Sequence, residues 1–512
     1  MHFSEVFRQP LSRRSALKIG AAATLASQAA VLEQAASMPE RLAMAAGALP
    51  DIQFDLGNFI APAFAVDGVM VRFGPVFTLF VPARLTRNPT GSDRQVLAGA
   101  LNAIEATHAF SPSGIFTFVA YGTPYFRRLP GSVVTANMPR TLDTGRPVLE
   151  EAVACPTDVV AGNGITKKTF NVPLTIESND MLFTFRSDSM RNLSDVLGWL
   201  EGSSVLAGRR LQSPAFRGLL QFRTPRLMFQ QIGITRKVAD MVRLPYAKQI
   251  NPQSPMWMGF ADQQTDAAGP AQIVTFQGNA QARLSTAKAG DYFDNGSIQH
   301  LSHDILDLDA FYALPNTDPD APDGEDYLER VQYMFRSNQL GTAHGVPSEG
   351  NADQFADGGG PSFLRNVFQG ANDAAMGAQA AGGKFTPQNA KQTATFTGLG
   401  RIGHISALQR SSRLADGTPL HIRMDGAGLN SMDVPDGSIQ PKLEFTAFVP
   451  SAQFFRIMRD NTAALDLQEQ FDVQDDDNGL ERFITATRRQ NFLVPPRRHR
   501  AFPLLELTGR RR

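Results

Sequence analysis

The sequence predicts an α+β chain of two ferredoxin-like halves, antiparallel sheets covered by helices, of the dimeric α+β barrel-like kind. Three observations predict it. Strand and helix patterns follow one another as strand, helix, strand, strand, helix in the first half; the same grammar returns in the second; and no short-period repeat of the solenoid or propeller kind is present.

In the first half, residues 76–81 (V-F-T-L-F-V) read as a buried strand, and Ser92-Asp93 as the cap of the helix that follows. Val96, Ala100, Ile104 and His108 form an i,i+4 row on that helix, with Leu97 and Leu101 beside it. Residues 114–120 and 181–185 are further strands. Leu193, Val196, Leu197 and Leu200 then repeat at helical spacing, marking a helix packed by one face. In the second half, residues 271–276 (A-Q-I-V-T-F), 296–301 and 443–449 read as strands. Ser451 caps a helix on which Phe454, Ile457 and Met458 share a face.

The expected organisation is a leader over 1–45, an N-terminal half over 46–250, a C-terminal half over 251–505 and a basic tail over 506–512. A Gly-rich insertion occupies about 341–398, either a lid or a surface excursion.

Composition narrows the function. At 512 residues with 42% hydrophobic side chains, the chain can bury a large core. Its 49 Lys and Arg balance 49 Asp and Glu, so no net field attracts a polyanion, and nucleic acid is not an expected partner. With 36 Phe against 7 Tyr and 2 Trp, the aromatic content reads as core, while 43 Gly and 33 Pro imply long loops. The single Cys155 forms no internal disulfide and no thiolate metal cluster.

Ser12-Arg13-Arg14-Ser15-Ala16-Leu17-Lys18 matches the twin-arginine export pattern, and the apolar run from Ile19 to Leu32 is too short for a membrane span. Ala43-Met44-Ala45 offers a cleavage site. The expectation is export from a bacterial cytoplasm to the periplasm or exterior, with the twin-arginine translocase as transient partner. That route carries folded proteins, often with a cofactor already inserted.

Neither H-E-x-x-H nor G-x-S-x-G is present. His300 and His303, beside Asp304, would face opposite sides of a strand, which argues against a metal pair. Asp475 to Gly479 lacks the later Glu of a calcium loop and reads as a solvated turn. Two stretches differ from their surroundings: Gly259-Phe260-Ala261-Asp262, and Gly403-His404-Ile405 with Arg423 nineteen residues beyond His404. A His in an apolar setting, a distant Asp and an Arg could supply an iron ligand, a proton acceptor and a fixed cation. On spacing alone, such a His is more often a packed core residue.

At these residues the sequence resembles the dye-decolourising peroxidases. Gly259-Phe260-Ala261-Asp262-Gln263 is similar to that family's G-F-x-D-G, Gly403-His404-Ile405-Ser406 to its A-H-I-R, and His421-Ile422-Arg423 to its I-x-R. Residues 118–126, 296–311, 443–458 and 492–496 resemble further elements, so the likeness spans most of 65–505. It implies haem b with His404 as proximal iron ligand, Asp262 and Arg423 as distal catalytic groups, and Gly259 and Arg423 against the cofactor. It also implies hydrogen peroxide and a bulky aromatic or dye-like reductant as substrates, and leaves a homo-oligomer open. Because a guanidinium stays charged at any working pH while a displaced carboxylate cannot accept a proton, Arg423 is expected to contribute more than Asp262 to peroxide cleavage. Gln263, Asp425 and Ser406 depart from the pattern: Gln263 alters the loop turn, Asp425 could pair with Arg423, and Ser406 removes a partner for a haem propionate. The competing class is a non-enzymatic relative on the same scaffold that binds a small ligand, or binds or handles haem, without turnover.

Overall fold

The computed structural model describes residues 31–36, 48–57, 59–61, 64–66, 69–71, 74–214, 216, 218–252, 254–258, 261–262, 271–278, 285–313, 348–349, 421–471, 474 and 478–509. Eight strands carry the architecture: β1 (Phe77–Leu85), β2 (Phe116–Gly122), β3 (Met181–Ser187), β4 (Arg226–Phe229), β5 (Ser297–Leu306), β6 (Gly426–Asn430), β7 (Gln440–Val449) and β8 (Ile484–Val494). Helix α1 (Gly91–Thr107) joins β1 to β2, α2 (Met190–Glu201) follows β3, and α3 (Ala452–Ala463) joins β7 to β8.

Each half has the ferredoxin-like order. In the first the strands lie β4-β1-β3-β2, and in the second β8-β5-β7-β6, with every neighbour antiparallel. The outer strands of the two halves then meet and close a barrel. On one side Gly122 and Tyr121 of β2 pair Phe492 and Leu493 of β8; on the other, Phe229 of β4 pairs Ala427 of β6. Both seams sit where a glycine lets backbones approach. A Cβ on Gly122 would run into the Asn179 carbonyl oxygen, and one on Gly426 would stand 2.8 Å from Met228 Cγ and 3.2 Å from the Phe229 carbonyl.

Because strand side chains alternate, every barrel strand is buried on two sides. The inward set includes Phe80, Phe116, Phe118, Leu182, Leu301, Phe448 and Phe492. Further along the lumen, Gln299 donates to the hydroxyls of Thr184 and Thr446, and His303 Nδ1 lies 2.8 Å from Glu444 Oε1, both side chains fully buried. The outward faces are covered by the helices. Leu97, Ala100, Leu101 and Ile104 of α1 and Leu193, Val196, Leu197 and Leu200 of α2 are buried against the first half.

The structure corrects several expectations. Helix α1 is capped by Thr90, not Ser92, in a reciprocal capping box with Asp93. Val96 is 39% exposed, because Leu97 takes the core-facing position beside Ala100 and Ile104. On α3, capped by Ser451 as expected, the buried pair is Phe455 with Met458, and Phe454 is only half-buried. Residues 271–274 form a 3₁₀ turn instead of a strand. Val274 packs with the aromatic side chains of the lumen, and the Thr275 hydroxyl donates to the Gln272 carbonyl, so local and tertiary contacts outweigh the strand-like pattern. In the acidic turn, 475–477 lie outside the described residues, but Asn478 is buried and donates to the Ala463 carbonyl. The leader's arginines and nearly all of the Gly-rich insertion also lie outside the described residues. No described helix is long and apolar enough to cross a membrane.

Candidate functional site

Period-two alternation puts Ser302, Asp304 and Leu306 of β5 on the sheet face turned to α3. Leu443 and Phe445 of β7 and Ile484, Ala486 and Arg489 of β8 complete that floor. Across from it, α3 presents Phe455, Met458, Arg459 and Thr462. Between sheet and helix lies a cavity of about 90 Å³.

Two further segments form its sides. One is Met256-Trp257-Met258, held against the seam between the halves. Trp257 Nε1 donates to the Gly428 carbonyl at 3.0 Å, its ring meets Phe229 edge-on, and its own carbonyl accepts from the Tyr312 hydroxyl at 2.6 Å. Four residues beyond Met258 stands Asp262, whose backbone belongs to the short strand Ala261–Asp262, parallel to Ser348–Glu349. The second segment holds Arg423 and Asp425. Ile422 and Arg423 pair with Phe448 and Ala447 of β7, which sets the half-buried Arg423 at the cavity with Asp425 and Ala427.

Of the residues the sequence singled out, Arg423 is therefore in the cavity wall, and Met258, four residues before Asp262, lines it too. The Asp262 side chain, Gly259 and His404 lie outside the described residues, as do Gln263, Ser406 and His344. His421 is buried two residues before Arg423. His300 and His303 do face opposite sides: His300 stacks on Phe455 of α3, while His303 points into the lumen.

Sequence reasoning missed the ionic groups at the cavity floor. Arg489 and Asp158 form a bidentate pair at 2.8 and 2.9 Å, each side chain 4% exposed, and Arg489 also donates to the Ser302 hydroxyl at 3.2 Å. Arg459 binds Glu481 at 3.2 Å and the Cys155 sulfur at 3.4 Å. Burial would raise the Glu481 carboxyl, but Arg459, Lys167 and the Thr157 hydroxyl together hold it down, to about 2. Asp304 behaves in the opposite way. Burial pushes its carboxyl up to about 7 against the pull of Arg489 and Arg459, and its Oδ1 has no hydrogen-bond partner among the described residues. Burial and the nearby Arg489 keep His300 well below the usual imidazole range, so that ring is neutral.

Tested against a haem, the walls agree in kind: flat apolar surfaces from Trp257, Phe445 and Phe455, with guanidinium groups at the margin. They do not agree in size. Pockets that bury a cofactor-sized ligand run to ~300–1,000 Å³, and the cavity has about 90 Å³.

A family model described as a family of unknown function, DUF7405, matches residues 75–339 and 366–496. The chain belongs to this family. The match takes in all eight barrel strands together with Asp262, His404 and Arg423. No curated protein matches the chain. Among solved structures, a putative DyP-type peroxidase from Shewanella oneidensis is 13% identical, covering 88% of this chain and 99% of its own, at a TM-score of 0.44. A DypB variant from Rhodococcus jostii in complex with heme is 13% identical over 89% of this chain and 98% of its own, at 0.45. A dye-decolorizing peroxidase from Bacteroides thetaiotaomicron is 12% identical over 88% and 99%, at 0.43. At such distances these likenesses say nothing of chemistry.

Proposed function

We propose that this chain is an exported haem-dependent peroxidase that reduces hydrogen peroxide at the expense of an aromatic donor, with haem b held through His404. One observation supports the reading: Arg423 and Met258, the latter four residues before Asp262, line the same cavity over the second sheet. Haem would supply the redox chemistry. The chain's own part would be a guanidinium charged at every working pH and a carboxylate able to exchange a proton.

The cavity's small volume favours a second reading, a scaffold that binds a small ligand without haem turnover. The absorption spectrum of the protein purified from haem-supplied cells separates the two. The first reading expects a strong Soret band, bleaching of dyes on adding peroxide, and loss of the band in His404→Ala but not in His421→Ala or His344→Ala. A folded protein without the band leaves the second reading standing.

A further inference from the structure

The two ends of the barrel lumen differ. One end is sealed by rings, with Phe54 stacked on Phe448 at 4.3 Å and Phe118 edge-on to Phe448. At the other end, the alternation that turns Met228, Leu301, Phe448 and Phe492 inward also turns in Arg226 of β4, His303 of β5, Lys442 and Glu444 of β7 and Arg488 of β8. None of these side chains lines the cavity beside α3.

Four polar atoms of this set are buried without a hydrogen-bond partner among the described residues: Arg226 Nε and Nη1, His303 Nε2 and Glu444 Oε2. Three of them are donors. Burial keeps the His303 ring neutral and pushes the Glu444 carboxyl up to about 8, so Glu444 Oε1 donates to His303 Nδ1 at 2.8 Å and the ring's single proton sits on Nε2. Glu444 Oε2 is then the carbonyl oxygen of a carboxylic acid, with Asn430 beside it. Lys442 and Arg226 act on the His303 ring more strongly than any other charge, which places both close to it. Glu177 binds Arg226 and Arg488, and Asp433 binds Arg488 at 2.6 Å, so two guanidinium groups meet two carboxylates. The ammonium of Lys442 is left as one positive charge in excess while Lys442 and Glu444 both keep their protons.

We propose that this end of the lumen binds one small monovalent oxyanion, of the size of formate or nitrate, which accepts from the N–H groups of Arg226 and His303 and balances the charge of Lys442. Water satisfies such donors but leaves a charge unbalanced in the interior, which is costly. The ion has a graded polar way in, since Arg488 is 32% exposed, Glu177 11% and Arg226 1%, hydrogen-bonded in that order from solvent to site. The site involves neither a haem nor the cavity given to it above.

The test is calorimetric titration of the full chain with sodium formate at constant ionic strength, in two buffers of different ionisation enthalpy. Burial brings the Lys442 ammonium down to about 7 against the pull of Glu444 and Asp433. The other charged groups around Lys442 and Glu444 are Arg226 from β4, Arg488 from β8 and Glu177, with Asp304 on the far face of β5. Wild type is expected to bind one formate at pH 6, to lose affinity about tenfold per unit as pH rises above 7, and to take up one proton per formate there. Arg226→Met should abolish binding. Lys442→Met should bind at least tenfold more weakly at pH 6, with no change between pH 6 and 7.5, and that profile decides the matter if the Arg226 variant does not fold. His404→Ala, which removes the proposed iron ligand, should bind formate as wild type does, so this site and the peroxidase reading fail separately. Absence of formate binding in folded wild type at pH 6, affinity independent of pH, or undiminished binding in folded Arg226→Met overturns the proposal.

Discussion

Asp304 binds its proton more tightly in the folded chain than in the unfolded one, and the sign of its effect on stability follows. Below about pH 3 both states keep the proton. As pH rises from there toward 7, the unfolded chain ionises first and folding loses ground, until the folded carboxyl also ionises near 7. Three units at ~1.4 kcal/mol each bound the loss at about 4 kcal/mol, and relaxation around the group leaves on the order of 2. Asp304→Asn should therefore unfold in urea close to wild type at pH 4 and later than wild type at pH 7.5. A residue kept only for stability would give the opposite result at pH 7.5, so this measurement also separates a functional carboxyl from a structural one. A sequence signal for Asp304 did exist: His300, Ser302 and Asp304 are polar at period two on a strand whose other residues call for burial on both sides. The pairing of Arg489 with Asp158 had none, because 331 residues separate them and neither stands in a motif. Arg423 was singled out by its place after His404, but only a resemblance gave it a role, since one Arg on a short strand carries no pattern of its own.

The strands and helices were legible where burial imposes a period. The runs beginning near Val76, Gly114, Met181, Gly296 and Leu443 are all strands, because long apolar or alternating stretches in this chain are buried on two sides. Reading failed where a short apolar run had no length to decide it, as at residues 271–274, and where one residue's phase along a helix mattered, as at Val96 and Phe454. Both failures are local ties broken by tertiary packing. Two glycines of opposite context test the element-level account. Gly426 closes the seam between β4 and β6, held by one residue pair, and a larger side chain there meets Met228 and the Phe229 carbonyl. Gly426→Val should cost about 1–3 kcal/mol in urea unfolding. Gly99 lies within α1 with no atom within 4 Å of an added Cβ. Gly99→Ala should gain about 1 kcal/mol, since alanine restricts the unfolded chain and suits a helix. Equal effects at the two sites would mean that the seam does not hold the barrel together.

The doubling of the fold was visible in the order of its elements, but the closure of the two halves into one barrel was not, because it rests on three residue pairs at two seams. That closure bears on the proposed export. Strand β8, last of the eight in sequence, pairs β5 in its own half and β2 in the other. Beyond it, the Arg500 carbonyl accepts from the Tyr121 hydroxyl at 2.7 Å, the Pro503 carbonyl accepts from Tyr125 at 2.8 Å, and Arg497 and Arg500 both bind Glu105 of α1. The first half is thus finished by residues almost 400 positions downstream, and such distant contacts form slowly and late. A chain of this kind is better carried across a membrane after folding than threaded through it before. The Arg13-Arg14 pair would serve that purpose. Replacing both by Lys should leave the protein in the cytoplasm of a bacterial host, folded and resistant to mild proteolysis. A chain cut after Pro496 with its arginines intact should also stay behind, but be protease-sensitive. Undiminished export of the double-lysine variant would show that the leader works through some other feature, and the link between barrel closure and route would fall with it.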